Sequence, residues 1–205
     1  MTDDPAELAS LTGSRICHDL ASPLGALMAG LDLLEMTGPP SPELTLMRES
    51  LAGARASLDL MRLAFGRAGE GADMAADELG RILAAALAAR PRLTLEWALE
   101  TALPRRDARH LTLALLCMLH ALPRGGTLRV AARGAAALCL TARGTIAADP
   151  VLWEGLAGDR PLPAPDPRRI EFALLARGLA AGGASLTISH APETLQLLLT
   201  PAKGD

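Results

Sequence analysis

The sequence predicts an α+β protein: an N-terminal helical hairpin, forming a four-helix bundle in a homodimer, followed by a two-layer α/β sandwich. Two observations predict this fold class. The first third of the chain spaces its apolar residues by three and four, as amphipathic helices do, and the remainder alternates helical stretches with strand-like ones. Hydrophobic residues make up 50% of the 205-residue chain, which is enough material for both cores.

The first predicted helix runs from about Pro5 to Met36. Pro23 lies inside it and removes one backbone hydrogen bond, so we expect it to bend the helix without ending it. The segment from Gly38 to Pro40 then ends the helix. The apolar residues that form one stripe along this helix are Ile16, Leu20, Leu24, Leu27, Leu31 and Leu34.

A second helix is predicted from about Pro42 to Arg67, with Ser41 as its N-cap and Pro42 at its first helical position. Its apolar residues repeat in heptad steps over three repeats. Because a lone hairpin buries two apolar stripes poorly, we expect two copies of the chain to pair as a homodimer. The second stripe comprises Leu44, Met47, Leu51, Ala54, Leu58, Met61 and Phe65.

The glycine-rich segment from Gly66 to Gly71 predicts a linker, which divides the chain into a hairpin domain of residues 1–70 and a second domain of residues 71–205. The element order of the second domain, αβαββ(α)αββ, predicts helices packed on a mixed sheet. The predicted helices are Glu78–Ala89, Asp107–Leu122 and Arg168–Ala181, and the predicted strands are Arg92–Ala98, Thr127–Ala132, Ala137–Ala142, Ser185–His190 and Thr194–Thr200.

Composition excludes several classes of function. A net charge of -3 lacks the basic excess of a nucleic-acid-binding protein, and 2% aromatic residues offer few platforms for stacking bases. The three cysteines are widely spaced, without the pairs or histidine clusters of a zinc site or a disulfide framework. With an acidic start and no long uncharged apolar run, the sequence predicts a cytoplasmic protein that contacts neither nucleic acid nor membrane.

His18 is the candidate catalytic residue. It lies about 165° around the first helix from the middle of the apolar stripe, so we expect it to face solvent, where a second protein can reach it. A neutral imidazole is a competent nucleophile towards phosphorus, and the adjacent Asp19 is placed to orient the ring. The alternative is an exposed histidine without chemistry, as we interpret His110, His120 and His190.

Small residues follow His18 on the same face and would allow another domain to approach closely. The residues that we expect to bind a partner are Arg15, Ser22, Gly25, Ala26 and Ala29, with Arg48 and Arg55 from the second helix. Cys17, beside His18, is interpreted as a packing residue rather than a nucleophile.

The segment from His18 to Leu24, HDLASPL, resembles the H-box of sensor histidine kinases: histidine, an acidic residue, leucine, a variable position, a small hydroxyl residue, proline and leucine. It also lies on the first helix of a hairpin, where that motif belongs. The resemblance implies that His18 is a phosphoacceptor.

The second domain resembles the ATP-binding domain of such kinases in outline only. Kinases use asparagine in their N-box to hold Mg²⁺, and this chain contains no asparagine. Cys117 and Ala121 lie near the positions where it would be expected. The Asp-x-Gly-x-Gly element that holds adenine is also missing, and a proline-rich loop replaces the glycine-rich lid. The resemblance implies a kinase-like scaffold without ATP chemistry and with no cofactor or metal of its own.

A histidine hairpin followed by a degenerate ATPase-like domain resembles the ChpT family of histidine phosphotransferases over essentially the whole chain. That resemblance implies a homodimer that takes a phosphoryl group from the receiver domain of a hybrid kinase of the CckA type. It would pass the group to response regulators of the CtrA and CpdR type, which control the cell cycle. The receiver would bring the Mg²⁺. Three alternatives stay open: a receiver-binding scaffold without transfer, an ATP-dependent histidine kinase, and an accompanying phosphatase activity.

Overall fold

A computed structural model describes residues 5–66, 73–134 and 137–202 of the chain. This part contains six helices and a mixed five-stranded sheet, which confirms the predicted α+β class. The chain divides into two compact units, Met1–Gly69 with Arg81–Ala89, and Glu70–Gly80 with Arg90–Asp205. The predicted boundary at residue 70 and most of the glycine-rich linker lie outside the described residues, so that boundary stays a prediction.

The hairpin consists of helix α1, Pro5–Thr37, and helix α2, Pro42–Phe65. Pro23 lies within α1, which continues for more than three turns beyond it, as expected. The start of α2 has the predicted cap, because the Ser41 hydroxyl accepts the Leu44 amide hydrogen bond at 3.2 Å. This bond satisfies one of the backbone donors that the first helical turn leaves unpaired.

A single chain buries only one edge of the predicted α1 stripe. Cys17 and Leu31 are 4% and 2% exposed, whereas Leu27 is 58% exposed. The two helices approach closely at the open end of the hairpin, where a Cβ atom on Gly13 would lie 3.0 Å from the Phe65 carbonyl oxygen. The stripe residues of α1 that remain about half exposed are Ile16, Leu20, Leu27 and Leu34.

The second part of the chain begins with helix α3, Ala76–Leu87, of which Arg81 onwards groups with the hairpin unit. The remaining helices are α4 (Arg105–Ala121), α5 (Pro150–Ala157) and α6 (Ile170–Gly182), and the strands are β1 (Leu93–Ala98), β2 (Gly126–Arg133), β3 (Ala137–Arg143), β4 (Ser185–Ala191) and β5 (Thr194–Thr200). Each predicted element is present, with its ends within a few residues of the predicted ones. The helix that was predicted between the third and fourth strands without bounds is α5.

The sheet has the strand order β1-β2-β3-β5-β4. Strands β1 and β2 are parallel and the other pairs are antiparallel, so the sheet is mixed, as predicted. Helix α4 packs on β3 and β5 while α5 and α6 contact β4, which makes two layers. Alternate strand residues point into the core between the layers, and these include Leu128, Val130, Leu138, Leu140, Leu195, Leu197 and Leu199.

A glycine sets the spacing between α4 and α6. A Cβ atom on Gly178 of α6 would lie 2.7 Å from Nε2 of His110 on α4, closer than such atoms pack. The absence of a side chain at Gly178 therefore allows the buried His110 ring to fit between the helices. At the end of α6, Gly183 adopts the left-handed conformation at φ 63°, which closes the helix.

Within the described residues, no helix is both long enough and apolar enough to cross a lipid bilayer.

Candidate functional site

His18 projects from α1 with 82% of its side chain exposed. The neighbouring Cys17 is buried, and this burial raises the pKa of its thiol. Successive helix residues point about 100° apart, so when Cys17 is buried the side chain of His18 points away from the buried side of α1. The structure therefore places the imidazole where a second protein can reach it and keeps the thiol protonated and covered.

Three side chains form a hydrogen-bonded chain on this face. The Arg15 guanidinium donates through Nε to Oδ2 of Asp19 at 2.8 Å, and Oδ1 of Asp19 lies 3.3 Å from Nδ1 of His18. The hydrogen bond with His18, followed by that with Arg15, lowers the pKa of the Asp19 carboxyl below its usual value. Asp19 is therefore an anion at neutral pH, with one oxygen for each neighbour.

This arrangement differentiates the two imidazole nitrogens. A carboxylate accepts but does not donate, so the hydrogen of a neutral His18 ring is favoured on Nδ1, facing Asp19. Nε2 then carries the lone pair and is the nucleophilic nitrogen. The group can therefore attack an electrophile that approaches from solvent, without a further base on this chain.

The small residues predicted beside His18 form an open surface on α1. Ser22, Gly25, Ala26 and Ala29 are all exposed. A Cβ atom added to Gly25 would meet no other atom within 4 Å. The glycine is thus not required by packing within this unit, and the surface has room for a close-fitting partner.

The two arginines predicted on α2 are engaged within the hairpin. Arg48 donates to Asp32 at 2.6 Å and through Nε to Glu35 at 3.1 Å, and these ion pairs raise the pKa of its guanidinium further. Arg55 pairs with Asp59 at 3.1 Å. Arg48 therefore ties α2 to α1, so any contact with a partner must compete with two carboxylates that already hold it.

In the second unit, the two positions near which a kinase N-box asparagine would be expected are buried in the core. Cys117 and Ala121 on α4 are both 0% exposed. Burial, with a smaller contribution from the nearby Glu171, raises the pKa of the Cys117 thiol well above its usual value. Neither position offers a side chain to a ligand at the surface of α4.

The other histidines have different surroundings from His18. His110 is buried, and burial lowers its pKa. His120 is hydrogen bonded through Nε2 to the buried carboxylate of Glu171 and lies beside Phe172. His190 is exposed on β4. Two of the three, His110 and His120, are thus held between α4 and α6, and His110 is buried where the sequence interpretation expected an exposed histidine.

A cavity of about 370 Å³ opens between α5, the proline-rich loop and α6. Its walls are mostly apolar, and two of its polar residues, Asp149 and Arg169, form an ion pair with each other at 2.8 Å. Asp149 also caps α5 by accepting the Val151 amide hydrogen bond at 3.1 Å. These charges are therefore already satisfied by the fold. Among the described residues, no group of three or more potential metal-ligating side chains comes together.

Sequence reasoning proposed His18 and Asp19 as site residues but did not predict the Arg15–Asp19 pair, although its spacing of four residues is a signal for an ion pair on a helix. It also missed the role of Arg48. The ion pairs of Arg48 join residues that are 13 and 16 positions apart, and only the docked hairpin brings them together.

Comparisons with known proteins agree on one family. The family model described as "Histidine phosphotransferase C-terminal domain" matches residues 76–194. Protein phosphotransferase ChpT of Brucella abortus (strain 2308) is 36% identical over 130 residues, and the match spans 62% of this chain and 62% of that relative's length.

One solved structure extends the comparison over nearly the whole chain. A bacterial phosphotransferase is 27% identical, with a TM-score of 0.70, covering 97% of this chain and 98% of the other. The histidine kinase domain of the Erythrobacter litoralis EL346 blue-light activated histidine kinase is 14% identical, with a TM-score of 0.47, covering 88% of this chain and 95% of the other.

Proposed function

Because this chain belongs to the histidine phosphotransferase family, we propose that it carries a phosphoryl group on His18 between the receiver domains of other proteins. The observation that carries the proposal is the exposed His18 imidazole with the Asp19 carboxylate at Nδ1. An aspartyl phosphate on the receiver of a hybrid histidine kinase is the donor. The receiver aspartates of response regulators of the CtrA and CpdR type are the acceptors.

The transfer step requires one nucleophile from this chain. As Nε2 of His18 forms a bond to phosphorus, the bond between phosphorus and the donor aspartate oxygen breaks, and the electron pair leaves with the carboxylate. The ring keeps its hydrogen on Nδ1 and becomes positively charged, and the Asp19 carboxylate stabilises that charge. The receiver supplies its own Mg²⁺, which neutralises charge on the phosphoryl oxygens. The second transfer is the reverse of the first, with a different aspartate.

The docking surface proposed for receivers is the small-residue face beside His18. Ser22, Gly25, Ala26 and Ala29 let another domain approach α1 closely, and Arg15 on α1 and Arg55 on α2 are the proposed polar contacts, each already paired with a carboxylate of its own helix. Receivers present carboxylates around their phosphorylation site, and these would compete with Asp19 and Asp59 for the two guanidinium groups. Arg48 contributes by holding the two helices together.

The hairpin supports a homodimer. Ile16, Leu20, Leu27 and Leu34 are 49–58% exposed, and they lie roughly 160–200° around α1 from His18. Met47 and Met61 on α2 are each 48% exposed as well. An apolar stripe of this length is covered when two hairpins pair into a four-helix bundle, and the pairing leaves His18 on the outside.

We also expect the chain not to use ATP. It has no asparagine for an N-box, and the nearby positions, Cys117 and Ala121, are sealed in the core. The phosphoryl group must then come from another protein. All cysteines among the described residues are free thiols, as is usual for proteins of the reducing cytoplasm. The proposed partner kinases and cell-cycle regulators act in that compartment.

The test is a transfer assay with a ³²P-labelled donor receiver. Wild-type protein should gain label that is stable in alkali and lost in acid, as phosphohistidine is. His18→Ala should gain none, while His190→Ala, which removes another exposed histidine, should be labelled normally. Labelling of His18→Ala at the wild-type rate would overturn the assignment.

Three further measurements separate the alternatives. Labelled ATP with Mg²⁺ and no partner should leave the protein unlabelled, and autophosphorylation would show a kinase. Tight receiver binding without any phosphohistidine would show a scaffold. Release of inorganic phosphate faster than the receiver's own hydrolysis, dependent on His18, would show that a phosphatase reaction accompanies transfer.

A further inference from the structure

We propose that Arg15 is a positioning residue for transfer at His18: its ion pair with Asp19 holds the carboxylate against Nδ1 and so keeps Nε2 available as the phosphoryl acceptor. This inference rests on the proposed function and adds a role to Arg15 that differs from partner binding. Arg15 acts through Asp19 and does not touch the imidazole.

The position of Arg15 on α1 suits this role. At about 100° per residue, Arg15 points between His18 and Asp19, one turn towards the N-terminus. Its guanidinium therefore reaches Oδ2 of Asp19 from the side on which His18 lies. Adjacent helix residues diverge, so the Asp19 carboxylate must lean towards His18 to place Oδ1 3.3 Å from Nδ1. The ion pair favours that leaning rotamer.

The contact between Asp19 and His18 depends on such support. The distance of 3.3 Å is at the long end for a hydrogen bond, and half of the Asp19 side chain is exposed, so water competes for Oδ1. Without Arg15, the carboxylate can rotate towards solvent. The hydrogen on the ring is then no longer confined to Nδ1, and part of the population carries it on Nε2, where it blocks attack.

The effect on chemistry should be separable from the effect on folding. Exposed ion pairs four residues apart contribute little to stability, and the Arg15 side chain is 75% exposed. Loss of orientation at a reacting imidazole is more costly: for metal-ligating histidines, which are oriented in the same way, removal of the orienting group costs about 10–100-fold in affinity or activity. A variant of Arg15 should therefore fold and dimerise normally yet transfer slowly.

The first experiment uses two phosphodonors on Arg15→Met and Arg15→Lys. One is the phosphorylated donor receiver, and the other is phosphoramidate, a small donor that makes no docking contacts. We expect Arg15→Met to lower the maximal rate about tenfold with both donors, separately from the rise in the KM for the receiver that the lost docking contact causes. Arg15→Lys, which keeps the charge, should recover most of the rate. Arg160→Met removes another exposed Arg–carboxylate pair, in which Arg160 lies 3.2 Å from Glu154, and should match wild type.

The second experiment reads the imidazole directly. Nitrogen-15 NMR at a pH where the ring is neutral should show His18 with its hydrogen mainly on Nδ1 in the wild type, and a shift towards the Nε2–H tautomer in Arg15→Met. Because this measurement needs no transfer, it tests Arg15 even if the proposed function fails. An unchanged tautomer ratio would overturn the inference, and so would a defect confined to the receiver's KM or absent with phosphoramidate.

Discussion

Replacing Leu27 with aspartate should separate the proposed dimer without disturbing the hairpin itself. Leu27 is 58% exposed in the single chain and lies on the opposite side of α1 from His18. In a two-fold symmetric bundle it would occur twice in the interface. The substitution therefore places two carboxylates where two leucines would otherwise be covered.

The magnitude follows from the exposed fraction. Burying a leucine side chain fully is worth about 1.5–3 kcal/mol, so covering the exposed 58% contributes about 1–2 kcal/mol per protomer. Two copies contribute about 2–4 kcal/mol to the dimer, and each tenfold change in Kd corresponds to about 1.4 kcal/mol. Leu27→Asp should thus raise the dissociation constant at least about thirtyfold, before the cost of desolvating the carboxylates is added.

Sedimentation equilibrium over a range of concentrations measures this constant. The matched control is Leu33→Asp, which changes a leucine that is 63% exposed but points about 110° away from the middle of the exposed stripe. Its dimer should persist, and circular dichroism should show full helix content for both variants. An unchanged dissociation constant for Leu27→Asp, or equal weakening by Leu33→Asp, would refute the assignment of this face.

Two further predictions concern the second unit. Gly178→Ala should lower the free energy of unfolding, measured by urea denaturation, by about 1–3 kcal/mol, because the new Cβ would lie 2.7 Å from Nε2 of His110. The control is Gly53→Ala on α2, where a Cβ meets nothing within 4 Å and which should not destabilise the protein. Burial lowers the pKa of His110, so the unfolded chain binds its proton more readily. The contribution of His110 to the free energy of unfolding should be fully present above about pH 6.5, the ordinary pKa of histidine. It should decrease as the pH falls below that value and level off below the lowered pKa that His110 has in the folded protein. His110→Gln should abolish that part of the pH dependence, and an unaltered profile would contradict it.

The sequence predicted most of the fold because its local signals agreed with the tertiary structure. Three-and-four spacing marked both hairpin helices, and the Ser41–Pro42 pair located the start of α2. The short α5 was predicted only as a helix in the element order, without bounds. Only eight residues long, it offers too few turns for a periodic pattern, and its Asp149 cap was not predicted from the sequence.

The site was predictable only in part. The helical phase of His18 could be calculated, since it depends on residues within four turns of one helix. The ion pairs of Arg48 could not, because they depend on how α1 and α2 dock. For the same reason, helical phase predicted the apolar stripe but not which edge of it the hairpin itself covers.

The division of that stripe connects the fold to the proposed chemistry. On α1, Cys17 and Leu31 are buried, whereas Leu20 and Leu27 remain half exposed on the side away from His18. If the whole stripe were buried within one chain, α1 would have no apolar face left for a second copy. The observed arrangement leaves an apolar face that would serve the proposed self-association and a face of small residues and charges that would serve the proposed receivers. If the protein stays dimeric while it exchanges partners, as we propose, these two faces must be separate.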